Sequence, residues 1–125
     1  MTANELRALL LEGAGEEEFT QHVKRVARRY GWRGIHTRYS EAVLESLHTR
    51  AVDGYSEAFG QPDWFFWHEG REESFFAELK GASGRLSKYQ KPMITSLRKA
   101  GLIVFEWWPR DHAIIEQVFR YGPHV

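Results

Sequence analysis

Pro62-Asp63-Trp64-Phe65-Phe66-Trp67, a polar link His68-Glu69-Gly70, and then Glu73-Ser74-Phe75-Phe76-Ala77-Glu78-Leu79-Lys80 form the stretch on which the fold of this chain turns. Two aromatic and apolar runs bracket a short connection containing glycine, the pattern of a β-hairpin. Side chains alternate along a strand, so Phe76, Glu78 and Lys80 share one face while Phe75, Ala77 and Leu79 share the other. An acid thus opens the first strand and an acid-x-lysine triplet closes the second. The hairpin brings Asp63 toward Glu78 and Lys80, far apart as they are in the chain.

Two carboxylates and an ammonium at the end of an otherwise apolar hairpin suit a divalent metal and a phosphate. Mg²⁺ prefers carboxylate oxygens and keeps several waters, so one or two acids with a substrate phosphate hold it. A bound metal lowers the pKa of its water from ~15.7 toward ~7, which supplies a nucleophile at neutral pH. A lysine beside it orients that water and offsets charge building on phosphate oxygens. Taken alone, an acid-x-lysine triplet is an ordinary surface pair on a strand edge, and Asp63 after Pro62 an ordinary turn residue; the rest of the chain has to decide.

The 125 residues, 42% of them hydrophobic, supply one compact domain and leave no room for a second of ordinary size. There is no cysteine, which excludes disulfides and thiolate metal sites. No apolar run approaches the ~20 residues of a membrane span, and the first residues lack the basic start of a secretory signal. A cytoplasmic protein without membrane contact is the expectation.

The formal charge is zero, with 17 basic and 17 acidic residues, yet the signs are segregated. From Phe19 to Ser40 there is no acid, while Lys24, Arg25, Arg28, Arg29, Arg33 and Arg38 occur. From Leu79 to Phe105 the pattern repeats with Lys80, Arg85, Lys88, Lys91, Arg98 and Lys99. Brought together, the two stretches would form a patch able to track a phosphate backbone. Two separately solvated helix faces would have the same composition.

Thr2-Ala3-Asn4-Glu5 has capping-box spacing, so a short helix is expected before the Gly13-Ala14-Gly15 break. A second helix is expected from Glu16 to Tyr30, with Phe19, Val23, Val26 and Ala27 as its apolar stripe and Gly31 after its C-terminus. Gly34 to Tyr39 reads as a strand, and residues 40–61 as irregular chain of a length more often functional than inert. Beyond the hairpin, Ser87 begins a helix running to Ala100, with Pro92 awkward in its first turn. Leu102 to Trp108 reads as a strand ended by Pro109, and Asp111 as the cap of a last helix. The order is α, α, β, loop, β, β, α, β, α: an α/β domain with a mixed central sheet flanked by helices.

This order and these motifs resemble the VRR-NUC family within the PD-(D/E)XK, or restriction-endonuclease-like, nuclease superfamily, most closely its small standalone virus-type members. The resemblance covers about residues 14–120 and leaves 1–13 as an N-terminal helical extension. It rests on Glu-x-x-Phe opening a helix, Gly31-Trp32 followed by His36, Pro62-Asp63, Glu78-Leu79-Lys80, Leu86-Ser87-x-x-Gln90, and Ala100-Gly101 leading into a strand that ends Trp108-Pro109. It implies a restriction-endonuclease-like core and hydrolysis of DNA phosphodiesters with Mg²⁺ or Mn²⁺. It also implies a structure-specific activity of the Holliday-junction-resolving kind, in a homodimer acting on branched or four-way DNA in recombination or repair. Two other readings remain: a subunit that cuts flaps or nicked DNA beside a helicase or repair partner, and a DNA-binding module that does not cleave. Trp64 where an aliphatic residue is usual, Gln61 before the proline and a long 40–61 segment depart from the family pattern and bear on substrate geometry.

Carried over residue by residue, Asp63, Glu78 and Lys80 match the central triad. Glu16 is the first-helix acid expected to join Asp63 and Glu78 at the metal, because it lies on the stripe of Phe19 and Val23, whereas Glu17 and Glu18 fall away from it. All three acids also suit a helix N-terminus electrostatically. Gln90 either completes a capping box with Ser87 or supports the site, and its place on the stripe of Ile94 and Leu97 favours the site. Arg28, Arg29, Arg33, His36, Arg38, Arg85, Lys88 and Lys91 are the expected DNA contacts, holding phosphates without reading sequence. The six histidines show no zinc-type spacing. Trp107 and Trp108 read as core rather than as a base-stacking platform, and the 14% aromatic content fits a dimer interface.

Overall fold

The computed structural model describes residues 1–37, 52 and 60–124. In chain order these form α1 (Ala3–Glu12), α2 (Glu16–Arg29), β1 (Arg33–His36), β2 (Trp64–His68), β3 (Glu73–Leu79), α3 (Gln90–Lys99), β4 (Val104–Trp107), a 3₁₀ turn (Pro109–Asp111) and α4 (His112–Tyr121). The strands make one sheet in the order β1-β2-β3-β4. β1, β2 and β3 pair antiparallel, and β3 pairs parallel with β4 through the α3 crossover, as a parallel pair requires. The molecule is α/β with a mixed four-stranded sheet. No helix among the described residues is long and apolar enough to cross a membrane.

Alternation sorts the hairpin as its sequence demands. Phe75, Ala77 and Leu79 of β3 and Phe66 of β2 are buried against Phe19, Val23 and Val26 of α2 and Ile115, Val118 and Phe119 of α4. Trp32 closes this layer, its indole N–H donating to the Phe119 carbonyl at 2.8 Å. Phe75 sits at the centre, with the rings of Trp32, Trp107 and Phe119 all within 5.6 Å of it. On the opposite face α3 packs on β4, and Ile94 and Val104 are buried outside that core. Further along that face Phe65 lies 4.9 Å from Phe76 and 5.8 Å from Trp67, all three half-buried.

Several boundaries move for local reasons. The hairpin link is Glu69 to Glu72 rather than His68 to Gly70, because His68 still pairs with Glu73; Glu72 takes a positive φ of 54° and its N–H closes the turn on Glu69. β1 ends at His36, and one further bond continues its register, the Thr37 N–H donating to the Asp63 carbonyl at 2.6 Å. α3 begins at Gln90, not Ser87, with Ser87 and Gln90 exchanging side-chain and main-chain hydrogen bonds at 3.1 and 2.8 Å one turn ahead of it. Pro92 then lies in the first turn, where the missing N–H costs nothing. Asp111 does not cap α4 with its side chain; its carboxylate accepts from the Trp108 N–H at 2.8 Å. Trp107 is buried core, and Trp108 is half-buried with its indole N–H on the Gly84 carbonyl. Apart from 52, 60 and 61, the 40–61 segment lies outside the described residues, as does Arg38.

Candidate active site

The register of β2 and β3 builds the centre. Trp64 pairs with Ala77, so the next step of the ladder sets Asp63 opposite Glu78, and the Asp63 N–H donates to Glu78 Oε1 at 3.2 Å. Lys80 Nζ stands 3.5 Å from Glu78 Oε2. Asp63 is 3% exposed, Glu78 0% and Lys80 8%. Burial at this level distinguishes the trio from a surface pair, since taking charges out of water costs several kcal/mol each.

Two further attachments hold this corner. Thr37 donates its hydroxyl to the Pro62 carbonyl and its N–H to the Asp63 carbonyl, tying the end of β1 to the residue that opens β2. The N-terminus of α2 abuts the chain just beyond Lys80: a Cβ on Gly81 would stand 2.7 Å from the Glu16 nitrogen, and the Ala82 N–H donates to the Ala14 carbonyl at 2.9 Å. Gly81 is therefore required by close approach of two backbones. These contacts bring the start of α2 beside the end of β3.

Glu16 is exposed, and it lines with Asp63 an open cleft of about 580 Å³ between α2 and the ends of β1 and β2. Glu17, Lys24, His36 and Trp64 line the same cleft. Glu17 thus does not fall away from the site as the apolar stripe suggests, because a cleft beside a helix admits residues flanking the stripe. Glu18 does, lining a separate cavity with α1. Lys24 and Trp64 also line a second cleft of about 280 Å³ with Arg28, Arg33 and Gly34. Lys24 was the contact that composition did not single out; the four-residue spacing Glu16, Thr20, Lys24, Arg28 is the signal that places them on one helix face.

Among the other expected contacts, Arg29 lies on the side of α2 toward α4, 3.6 Å from Glu116. Arg85, Lys88 and Lys91 are exposed, Lys88 lying over the Tyr89 ring at 5.1 Å, and they do not line the cleft. The Gln90 side chain, 4% exposed, is engaged with Ser87 N–H, so the capping geometry is present and its amide oxygen is spent there.

No three carboxylate, imidazole or thiol side chains among the described residues gather as a metal-holding group. The centre is a pair of acids with a lysine. That donor set fits Mg²⁺ or Mn²⁺, which take oxygen ligands and complete their shells with water and substrate phosphate, and does not fit the closed nitrogen and sulfur shell of structural zinc. No family model, curated protein or solved structure matches the chain.

Proposed function

We propose that the chain is a metal-dependent DNA endonuclease with a restriction-endonuclease-like core, acting on branched DNA such as a four-way junction. The observation that supports this reading is the burial, side by side, of Asp63, Glu78 and Lys80, with Asp63 lining a cleft beside α2. Asp63 and Glu78 would hold the metal, with Glu16 at the cleft mouth as a further acid reached through water. When bound, Mg²⁺ supplies a water of lowered pKa and a counter-charge for the phosphate. Lys80 orients the attacking water and stabilises the charge that grows on the non-bridging oxygens. The pair with Glu78 fixes its ammonium, so little reorganisation is needed as the reaction proceeds.

Gln90 steadies the start of α3 beside this corner. Arg28, Arg33 and His36 hold phosphates near the cleft, and Arg85, Lys88 and Lys91 meet more distant ones. One subunit cuts one strand, so symmetric cleavage of a four-way junction calls for a homodimer. The test is incubation of the purified protein with labelled four-way junction, splayed-arm, single-stranded and linear duplex DNA in Mg²⁺, Mn²⁺ or EDTA. Products confined to branched DNA and abolished by EDTA are expected. Binding without product in every metal would leave a DNA-binding module and remove the enzyme.

A further inference from the structure

The two clefts beside α2 meet, because Lys24 and Trp64 line both. Together they follow one face of the helix from Glu16 to Arg28, about 18 Å at 1.5 Å per residue. The groove mixes charged side chains with the apolar surfaces of Ala27, Trp32, Trp64 and Phe66. Its head carries acids, Glu16, Glu17 and Asp63, while its tail carries Lys24, Arg28 and Arg33. Between them stands Trp64, half-buried, its ring stacked on Phe66 at 5.6 Å and tilted against exposed His36 at 5.3 Å. Beyond Trp64 the second cleft is lined by Gly34 and Phe66, the Phe66 ring occupying the space a Cβ on Gly34 would need, 2.6 Å away.

We propose that this groove holds an unpaired DNA strand, phosphates over Lys24, Arg28 and Arg33 and a base against Trp64, and so delivers its next phosphate to the acidic head. This rests on the nuclease reading and, within branched DNA, selects a substrate with a single-stranded arm next to the scissile phosphate, as a splayed arm or flap has and an intact four-way junction does not. A groove of some hundreds of cubic ångströms that pairs a cationic wall with an aromatic ring is the arrangement by which proteins take single strands without reading sequence. A duplex, with its bases turned inward, offers Trp64 no face to stack on.

The experiment is fluorescence anisotropy with an end-labelled oligodeoxynucleotide, a hairpin duplex of matching composition and a splayed-arm DNA, all in EDTA so that nothing is cut. Single-stranded and splayed-arm DNA are expected to bind more tightly than the hairpin. Trp64→Leu is expected to weaken single-strand binding about 10- to 100-fold while changing hairpin binding less than about two-fold. Because Trp64 also packs on the core, Lys24→Glu serves as a second variant, with its melting temperature measured alongside; it should weaken single-strand binding without moving that temperature. Equal affinity for hairpin and single strand, or unchanged single-strand binding in a folded Lys24→Glu protein, overturns the proposal. Tight single-strand binding with no product in any metal keeps the groove and discards the nuclease; metal-dependent product with groove variants that bind normally does the reverse.

Discussion

Replacing Lys80 with methionine keeps the length of the side chain and removes its charge. Its side chain is 10% exposed and that of Glu78 0%, so solvent cannot take over the lost ammonium. Breaking a buried pair from one side costs about 3–5 kcal/mol, because an uncompensated charge is left behind. At roughly 3–6 °C per kcal/mol for a domain of this size, the melting temperature should fall by about 10–30 °C. Mg²⁺ should restore part of the loss, since a ligand at a hundred times its Kd adds about 2.7 kcal/mol. The double variant Glu78→Gln/Lys80→Met should melt above Lys80→Met, with a coupling of about 1–3 kcal/mol, and should lose the response to Mg²⁺. Calorimetry of the three proteins with Mg²⁺ and with EDTA decides. A Lys80→Met protein that melts with wild type would show that the buried pair of Glu78 and Lys80 does not hold this corner together.

Gly81→Ala forces a Cβ into the Glu16 main chain at 2.7 Å and should cost about 1–3 kcal/mol in urea melts while lowering cleavage, as the start of α2 backs away from Lys80. Thr37→Val removes the hydroxyl bond to Pro62 and should cost about 0.5–1.5 kcal/mol by the same measurement. Arg28→Ala should weaken DNA binding and reduce the salt dependence of log K by about one, whereas Arg29→Ala, turned toward Glu116, should leave both unchanged in a salt titration. His22 in the α1 cavity is pushed below the usual imidazole range by burial and then by Arg25, His112 and Arg29, against Glu116. The unfolded chain therefore binds the extra proton first, so stability should fall as pH drops below about 6.5, and His22→Gln should flatten that slope in melts from pH 7.5 to 5.

The aromatic hairpin was legible because alternation puts Phe75, Ala77 and Leu79 on one face, whereas the register that sets Asp63 opposite Glu78 goes with the Glu69 to Glu72 link, which alternation does not specify. The order of elements followed from the same periodicities. What the chain did not disclose were relations across elements. Nothing in Gly81 announces that it meets the Glu16 backbone, and nothing in Thr37 announces its grip on Pro62. The apolar stripe of α2 does not separate Glu16 from Glu17, which line the same cleft, because a stripe reports what faces the core and not what borders a cleft. Arg29 belongs to the same basic run as Arg28 yet faces another helix, which composition does not distinguish. Gln90 is buried and exchanges bonds with Ser87, which is the capping reading of its position.

The most direct test of the account compares Asp63→Asn with wild type on one labelled branched DNA, scoring binding in EDTA and product in Mg²⁺ from the same preparations. The substitution keeps the shape of the side chain and the main-chain link to Glu78 while removing one metal-seeking charge. Unchanged binding with product lost by a hundred-fold or more, on the order expected for removing a catalytic electrostatic group, is the result the account predicts. Wild-type levels of product from the folded variant, or product from neither protein while binding persists, would contradict it.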